Sequence, residues 1–381
     1  MTRIQMPLRY HVEHRTATWL ELFFDLVFVV AVSRITHALA HTHHHHLEAG
    51  IAWKFPLTLL PVWWIWMLHT TWCNLYDTDG KQHRAVSLFV MLQVMVLSTV
   101  MITDWEQVFP LFNGCYFLLR LTLAAMYASQ RGAHDGYASF ARGRGCVLLI
   151  AALVSVTSGL FPPPLRYAVF YLGLLIDMAH PFLLRSRGAI PPVHHHHLVE
   201  RMGLLVIILM GESIISLSGG LVDMHWDAQT VIAAVAGITM IGAAWWIYFD
   251  SYHRLTEDNR RLRDGLALGY PHFLTCLGLS VMANVIHHAL HPGIDRHEYQ
   301  VMAIAGLTVF YIGKQIPYYS KFPMLRGYIL VNSLITLSLC GAALLLPTNA
   351  LILAGMTAAM LVYVAANYFT TIRRLHESEP H

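Results

Sequence analysis

Long runs of apolar residues, separated by short polar stretches, recur along the whole chain. A helix that crosses a bilayer needs about 20 such residues. The pattern places candidates at residues 20–40, 54–75, 85–102, 109–128, 145–161, 165–184, 198–218, 229–250, 266–289, 299–319, 327–346 and 350–372. It therefore predicts an all-α polytopic membrane protein of about 12 transmembrane helices. The connections are too short for a sizeable soluble domain. The first run is read as a retained helix, because Glu21, Asp25 and Arg34 interrupt it and a signal peptide cleaved at Ala38-Leu39-Ala40 would be about 40 residues long, beyond the roughly 15–30 that are typical.

Composition agrees. Of 381 residues, 56% are hydrophobic and 12% charged, against roughly 25% charged in soluble domains. That apolar mass excludes disorder. Five Cys without a CxxC pair exclude a disulfide scaffold. Twenty-five basic against 22 acidic residues leave no basic surplus for nucleic acid.

The basic residues orient the chain. With a cytoplasmic N-terminus, 18 Lys and Arg fall in cytoplasmic segments and only Lys54, Arg166 and Arg296 opposite. This positive-inside bias predicts both ends in the cytoplasm. The chain also compares with itself at an offset of 182: Trp63-Trp64-Ile65-Trp66 lines up with Trp245-Trp246-Ile247-Tyr248, and Leu97-Ser98 with Leu279-Ser280. The expected layout is two parallel six-helix repeats, 19–184 and 198–372. A cytoplasmic N-terminal segment (1–18), a His-rich connection (185–197) and a tail (373–381) complete it. Parallel repeats are one recurring plan of secondary transporters.

Particular strings resemble the bacterial low temperature requirement A family. They are Trp19-Leu-Glu-Leu-Phe-Phe-Asp-Leu-Val-Phe-Val, Asp77-Thr-Asp with Arg84 and Met91-Leu-Gln93, Arg120, Glu200-Arg-Met-Gly-Leu, Gly211-Glu-Ser, Trp245-Trp-Ile-Tyr-Phe-Asp, Tyr270-Pro-His272 and His291-Pro292. The resemblance covers nearly the whole chain. It implies a multi-pass protein of the bacterial plasma membrane, linked by its family name to growth in the cold.

Charges inside a bilayer cost at least ~2.5–3.5 kcal/mol each, which makes them functional candidates. Glu21 and Asp25 share one face of the first helix. Two neighbouring carboxylates suit reversible protonation, while an acid pair at a helix N-terminus also suits the macrodipole. Arg34 lies on the opposite face from Asp25 and needs a partner elsewhere, an anionic ligand, or the interface. Glu200 opens the seventh span. Arg201 and Glu212 share a face of that span, and Glu212 is the leading intramembrane carboxylate, with Arg120 as a possible ion-pair partner. Asp250 and His272 complete the expected substrate or proton path.

Asp77, Asp79 and Arg84 form either a cytoplasmic gate against the loop around Arg254–Arg263 or ordinary turn and cap chemistry. His43, His44, His45, His46 and His194, His195, His196, His197 fall in predicted loops. They offer accessory transition-metal binding or remain solvated. No other cofactor is expected. The aromatics at 63–66, 72 and 245–246 are expected in interface belts and packing, not in a cofactor box.

The functional expectation is a secondary transporter or permease, proton-coupled, for an unknown small solute or ion. No GxxxxGK[ST] loop is present to support ATP hydrolysis. The alternative is a membrane-embedded enzyme or factor affecting lipid composition or cold adaptation. Beyond the lipid bilayer and that solute no partner is expected, nucleic acid included.

Overall fold

The computed structural model describes residues 15–77, 79–100, 105–130, 135–185, 189–222, 224–250, 252–255, 262 and 265–372. Twelve α-helices run through them: α1 Trp19–Thr36, α2 Ile51–Tyr76, α3 Lys81–Thr99, α4 Trp105–Ala128, α5 Asp135–Thr157, α6 Leu165–Arg185, α7 His195–Gly220, α8 Ala228–Phe249, α9 Leu266–Leu290, α10 Arg296–Lys321, α11 Arg326–Ala343 and α12 Asn349–Asn367. Each coincides with a predicted apolar run. Among the described residues, ten are long and apolar enough to cross a membrane. The other two, α3 and α10, are more polar: α3 carries Lys81, His83, Arg84 and Gln93, and α10 carries Arg296, Glu298, Lys314 and Lys321. The chain is a multi-pass membrane protein.

Local chemistry sets several helix starts. Thr18 and Glu21 open α1 as a capping box: the Thr18 N–H donates to Glu21 Oε2 at 2.8 Å and the Glu21 N–H to Thr18 Oγ1 at 3.3 Å. Asp227 accepts from the Thr230 N–H before α8, and Asp295 from His297 and Glu298 before α10. Each pairing satisfies donors that the first helical turn leaves free.

The chain divides into two compact units. Unit 1 comprises Met1–Ile35, Thr58–Arg201 and Arg263–Leu266, and unit 2 comprises Thr36–Leu57, Met202–Leu262 and Ala267–His381. In unit 1, α5 packs on both α4 and α6. A Cβ at Gly173 would stand 2.5 Å from the Ala151 carbonyl, so only glycine allows α6 this approach to α5. In unit 2, Met240, Val285, Phe310, Leu353 and Met360 belong to one continuous apolar core. There a Cβ at Gly278 would stand 2.5 Å from the Phe310 nitrogen, which fixes how closely α9 and α10 meet.

Candidate functional site

The tryptophans of α2 are not an interface belt. Trp63, Trp64 and Trp66 are each no more than 2% exposed. An indole buried in apolar surroundings needs a partner for its N–H. Trp66 donates to Asp25 Oδ1 at 2.7 Å, and Trp64 donates to Asp177 Oδ2 at 2.6 Å. Two positions apart on a helix point about 200° apart, so α2 serves two separate polar clusters within unit 1.

The first cluster joins α1, α2 and the first turns of α7. Arg201 grips Asp25 with two bonds, Nε to Oδ2 at 3.0 Å and Nη2 to Oδ1 at 2.6 Å. This is the bidentate arrangement that a planar guanidinium makes best. Its third nitrogen stands 3.2 Å from Glu21 Oε1, and its plane lies 5.9 Å from the centre of the Trp66 ring. His197, one turn earlier on α7, meets the same Glu21 oxygen through Nε2 at 2.9 Å.

The tautomer of His197 follows from Asn74. The Asn74 amide donates to the His194 carbonyl and accepts from the His194 N–H, which fixes its orientation. Its NH₂ therefore also donates to His197 Nδ1 at 2.9 Å. Nδ1 is an acceptor, so His197 is neutral and its Nε2–H donates to Glu21. Arg15 closes the cluster: it donates to the Cys73 and Asn74 carbonyls and stands 3.3 Å from Asp77 and 3.5 Å from Glu21. One oxygen of Glu21 thus caps α1 while the other meets Arg15, Arg201 and His197.

The second cluster joins α2, α4, α5 and α6. Asp177 stands 3.3 Å from Arg120 and 2.9 Å from Arg144. Arg120 also donates to the Ala151 and Gly173 carbonyls and to Ser155 Oγ. Arg144 donates to the Asp177 carbonyl and lies 5.6 Å from the centre of the Trp64 ring. All of these charged side chains are buried. The sequence reading passed over Asp177, although a lone acid inside the run Leu172–Met178 was visible. It also placed Arg144 in a cytoplasmic loop, whereas Arg144 lies within α5.

The remaining candidates fall elsewhere. Glu212 is not a deep partner of Arg120: its side chain is 26% exposed, with His37 Nε2 at 3.9 Å, and Arg120 holds Asp177 instead. Arg34 is exposed on α1, as interfacial snorkelling requires. Glu200 accepts the Ala17 N–H at 2.8 Å. Asp250 is half-buried at the C-terminal end of α8, and its N–H bonds to the Trp246 carbonyl. His272 is buried behind Pro271 on α9, with the Tyr248 ring 6.4 Å away. Trp245 and Trp246, matched by sequence to the buried tryptophans of α2, are 50% and 53% exposed.

Asp77, Asp79 and Arg84 divide. Asp77 is buried, meets Arg15, accepts the Asp79 N–H and stands 3.4 Å from His83 Nδ1. Burial pushes the His83 imidazole below its ordinary value, against the pull of the Asp77 carboxylate. Asp79 forms a local surface pair with Arg84 at 3.0 Å. Most of the loop proposed as its gating partner, residues 256–261 and 263–264, lies outside the described residues.

Neither histidine run is a loose loop. His195–His197 form the first turn of α7, where His195 and His197 are buried and His196 Nδ1 lies 3.3 Å from the Arg15 carbonyl oxygen. His43–His46 form a β-hairpin with His44 and His45 at its tip, both at positive φ. That hairpin is pinned to the start of α10: the Asp295 backbone N–H donates to the His45 carbonyl, and the Glu298 carboxylate accepts the Leu47 N–H at 2.8 Å and meets His46 Nδ1 at 3.1 Å. Among the described residues, no three His, Cys, Asp or Glu side chains gather where they could hold a metal ion.

Comparison with known proteins matches residues 16–366 to the family described as bacterial low temperature requirement A protein. An uncharacterized protein of Rhizobium meliloti (strain 1021) is 28% identical over 253 residues. The match spans 64% of this chain and 60% of that relative's length. No solved structure matches.

Proposed function

The chain belongs to the bacterial low temperature requirement A family, and from that premise we propose a proton-coupled secondary transporter of the bacterial plasma membrane. Glu21 is its protonation site: two guanidinium groups, the imidazole N–H and the α1 cap favour its charged form, so a proton reaches it only as those contacts open. The observation that carries this reading is the divided role of that carboxylate. One oxygen belongs to the helix cap, while the other is shared by two guanidinium groups and the N–H of a neutral imidazole.

A proton placed on Glu21 removes its attraction for Arg15 and Arg201. Arg201 keeps Asp25, so α1 and α7 stay joined there while the Glu21 contacts loosen. Ion pairs that can be exchanged in this way give a packed helix interface two discrete arrangements. Asp25, held on both oxygens, acts as the fixed anchor.

The proposal places both chain ends in the cytoplasm, as the basic residues suggest. It counts α3 and α10 as polar members of a twelve-span, two-repeat layout, supported by the matched strings at an offset of 182. The test uses the full chain in proteoliposomes that hold a pH-sensitive dye. A panel of small anionic, cationic and zwitterionic solutes is added outside. The expected result is a proton flux evoked by one class and absent from empty liposomes. No solute-evoked flux from any class overturns the reading.

A further inference from the structure

A cleft of about 1030 Å³ opens among the end of α2, the start of α3 and the end of α4, all within unit 1. Its volume is at the upper end of the roughly 300–1,000 Å³ typical of small-molecule sites. The walls are apolar, with Trp72, Val86, Phe89 and Leu121 among them, while Lys81 and Gln130 stand at the polar end. We propose that this cleft binds an amphiphile made of an acyl chain and an anionic head group.

Two features select that chemistry. The first is charge: among the described residues, Lys81 is exposed and is the one Lys or Arg lining the cleft, and no carboxylate lines it. The neighbouring acid, Asp79, is held by Arg84 instead. An anionic head group at Lys81 meets a complementary charge, and Gln130 adds an amide donor.

The second is continuity. Beyond Phe89 and Leu121, the same two helices expose Leu92 and Leu118, each about half-exposed. In a multi-pass membrane protein such a stripe faces lipid tails. A chain seated in the cleft therefore runs out along α3 and α4 past a single polar pair among the described residues, Gln93 and Thr122, which satisfy one another at 3.1 Å. A polar cytoplasmic peptide would leave the Phe89 and Leu121 wall unmatched.

The cleft also touches the buried cluster. His83 lines it, stacks on Trp72 with ring centres 5.0 Å apart, and stands 3.4 Å from Asp77. An occupant consequently presses on a side chain that meets the carboxylate held by Arg15. The binding site does not depend on the transport reading.

The experiment uses the full chain in nanodiscs of zwitterionic lipid and follows tryptophan fluorescence. The probes are dibrominated stearate, a dibrominated phosphatidylglycerol and a dibrominated neutral monoacylglycerol. The share of quenching lost in Trp72→Phe reports on the cleft. Saturable quenching by stearate, by phosphatidylglycerol or by both supports the proposal and names the source of the head group. Lys81→Glu, on an exposed side chain, is expected to weaken binding about tenfold, the equivalent of about 1.4 kcal/mol. Lys81→Arg is expected to preserve binding, and Ala125→Trp to fill the cleft and abolish it. Equal quenching by the neutral probe overturns the assignment, as does wild-type affinity in both Lys81→Glu and Ala125→Trp. Protection of Trp72 that rises with protein density, without saturation by any probe, would assign the cleft to a second copy and also overturn it.

Discussion

The two clusters served by α2 use the same parts to different ends. Each places an indole N–H and a guanidinium on a buried aspartate. Asp177 has two arginines, and Arg120 is further tied to three oxygens of α5 and α6. Asp25 has Arg201, which also reaches Glu21, a carboxylate that shares itself with a neutral histidine and a second arginine. The Asp177 cluster is redundant, and among the described residues its histidine, His180, meets Arg144 at 3.4 Å and not the carboxylate. The Asp25 cluster has a carboxylate whose partners can be exchanged. Buried charge by itself does not mark function; the useful distinction is whether protonating one group leaves the rest satisfied.

The largest way to break this comparison is to remove one arginine from each side. Arg201→Leu leaves Asp25 and part of Glu21 uncompensated, and the expected loss is about 3–5 kcal/mol. Arg120→Leu leaves Arg144 on Asp177, so its loss is expected to be smaller. Thermal unfolding in detergent ranks the two, and equal losses would contradict the claimed redundancy. Next come the indoles. Trp66→Phe and Trp64→Phe each remove one hydrogen bond to a charged group, expected to cost about 1.5–3 kcal/mol. Combining Trp66→Phe with Asp25→Asn should cost less than the sum of the two, because they share one bond. Additive costs would show that the bond contributes little.

His197→Gln sharpens the comparison more gently. Glutamine keeps a donor for Glu21, so the expected stability change is within about 1 kcal/mol and solute-evoked proton flux is expected to persist. Loss of that flux in a folded His197→Gln would show that the imidazole itself carries the proton.

The smallest effect lies outside both clusters and must be separated from them in any acid titration. Asp295 is held below its ordinary value by the Glu298 and His297 N–H groups. A carboxylate lowered in this way stabilises the folded state above its unfolded value of about 3.9, and that contribution fades as pH falls through the folded value. Asp295→Asn should therefore slightly flatten the acid limb of the stability curve below that pH. A limb identical to wild type would show that the cap contributes nothing measurable.

Much of this was legible in the sequence. Each apolar run coincides with a helix, and ten of the described helices are long and apolar enough to cross a membrane, because bilayer-length hydrophobicity is a one-dimensional signal. Glu21, Asp25 and Arg201 stood out because charges in such runs are costly. Their pairing was not legible. Position on a helical wheel tied Arg201 to Glu212, whereas packing brings it to α1. Asp177 went unnoticed because a single acid has no internal partner to make a pattern. The second histidine run misled in the other direction: composition suggested a solvated loop, but His195 and His197 are buried and each nitrogen of His197 is assigned by a neighbour, while His43–His46 stay exposed.

The most direct test sets Glu21→Gln against Asp177→Asn in proteoliposomes, with proton flux expressed per folded molecule. Glutamine at position 21 can still accept the Thr18 N–H in a capping box, so α1 keeps its start. Its NH₂ meets donors at the other oxygen's place and lowers stability, which is why flux is taken per folded molecule. The account predicts that Asp177→Asn lowers the folded yield while flux per folded molecule stays near wild type, and that Glu21→Gln folds but falls to the level of empty liposomes. Wild-type flux in Glu21→Gln would contradict it.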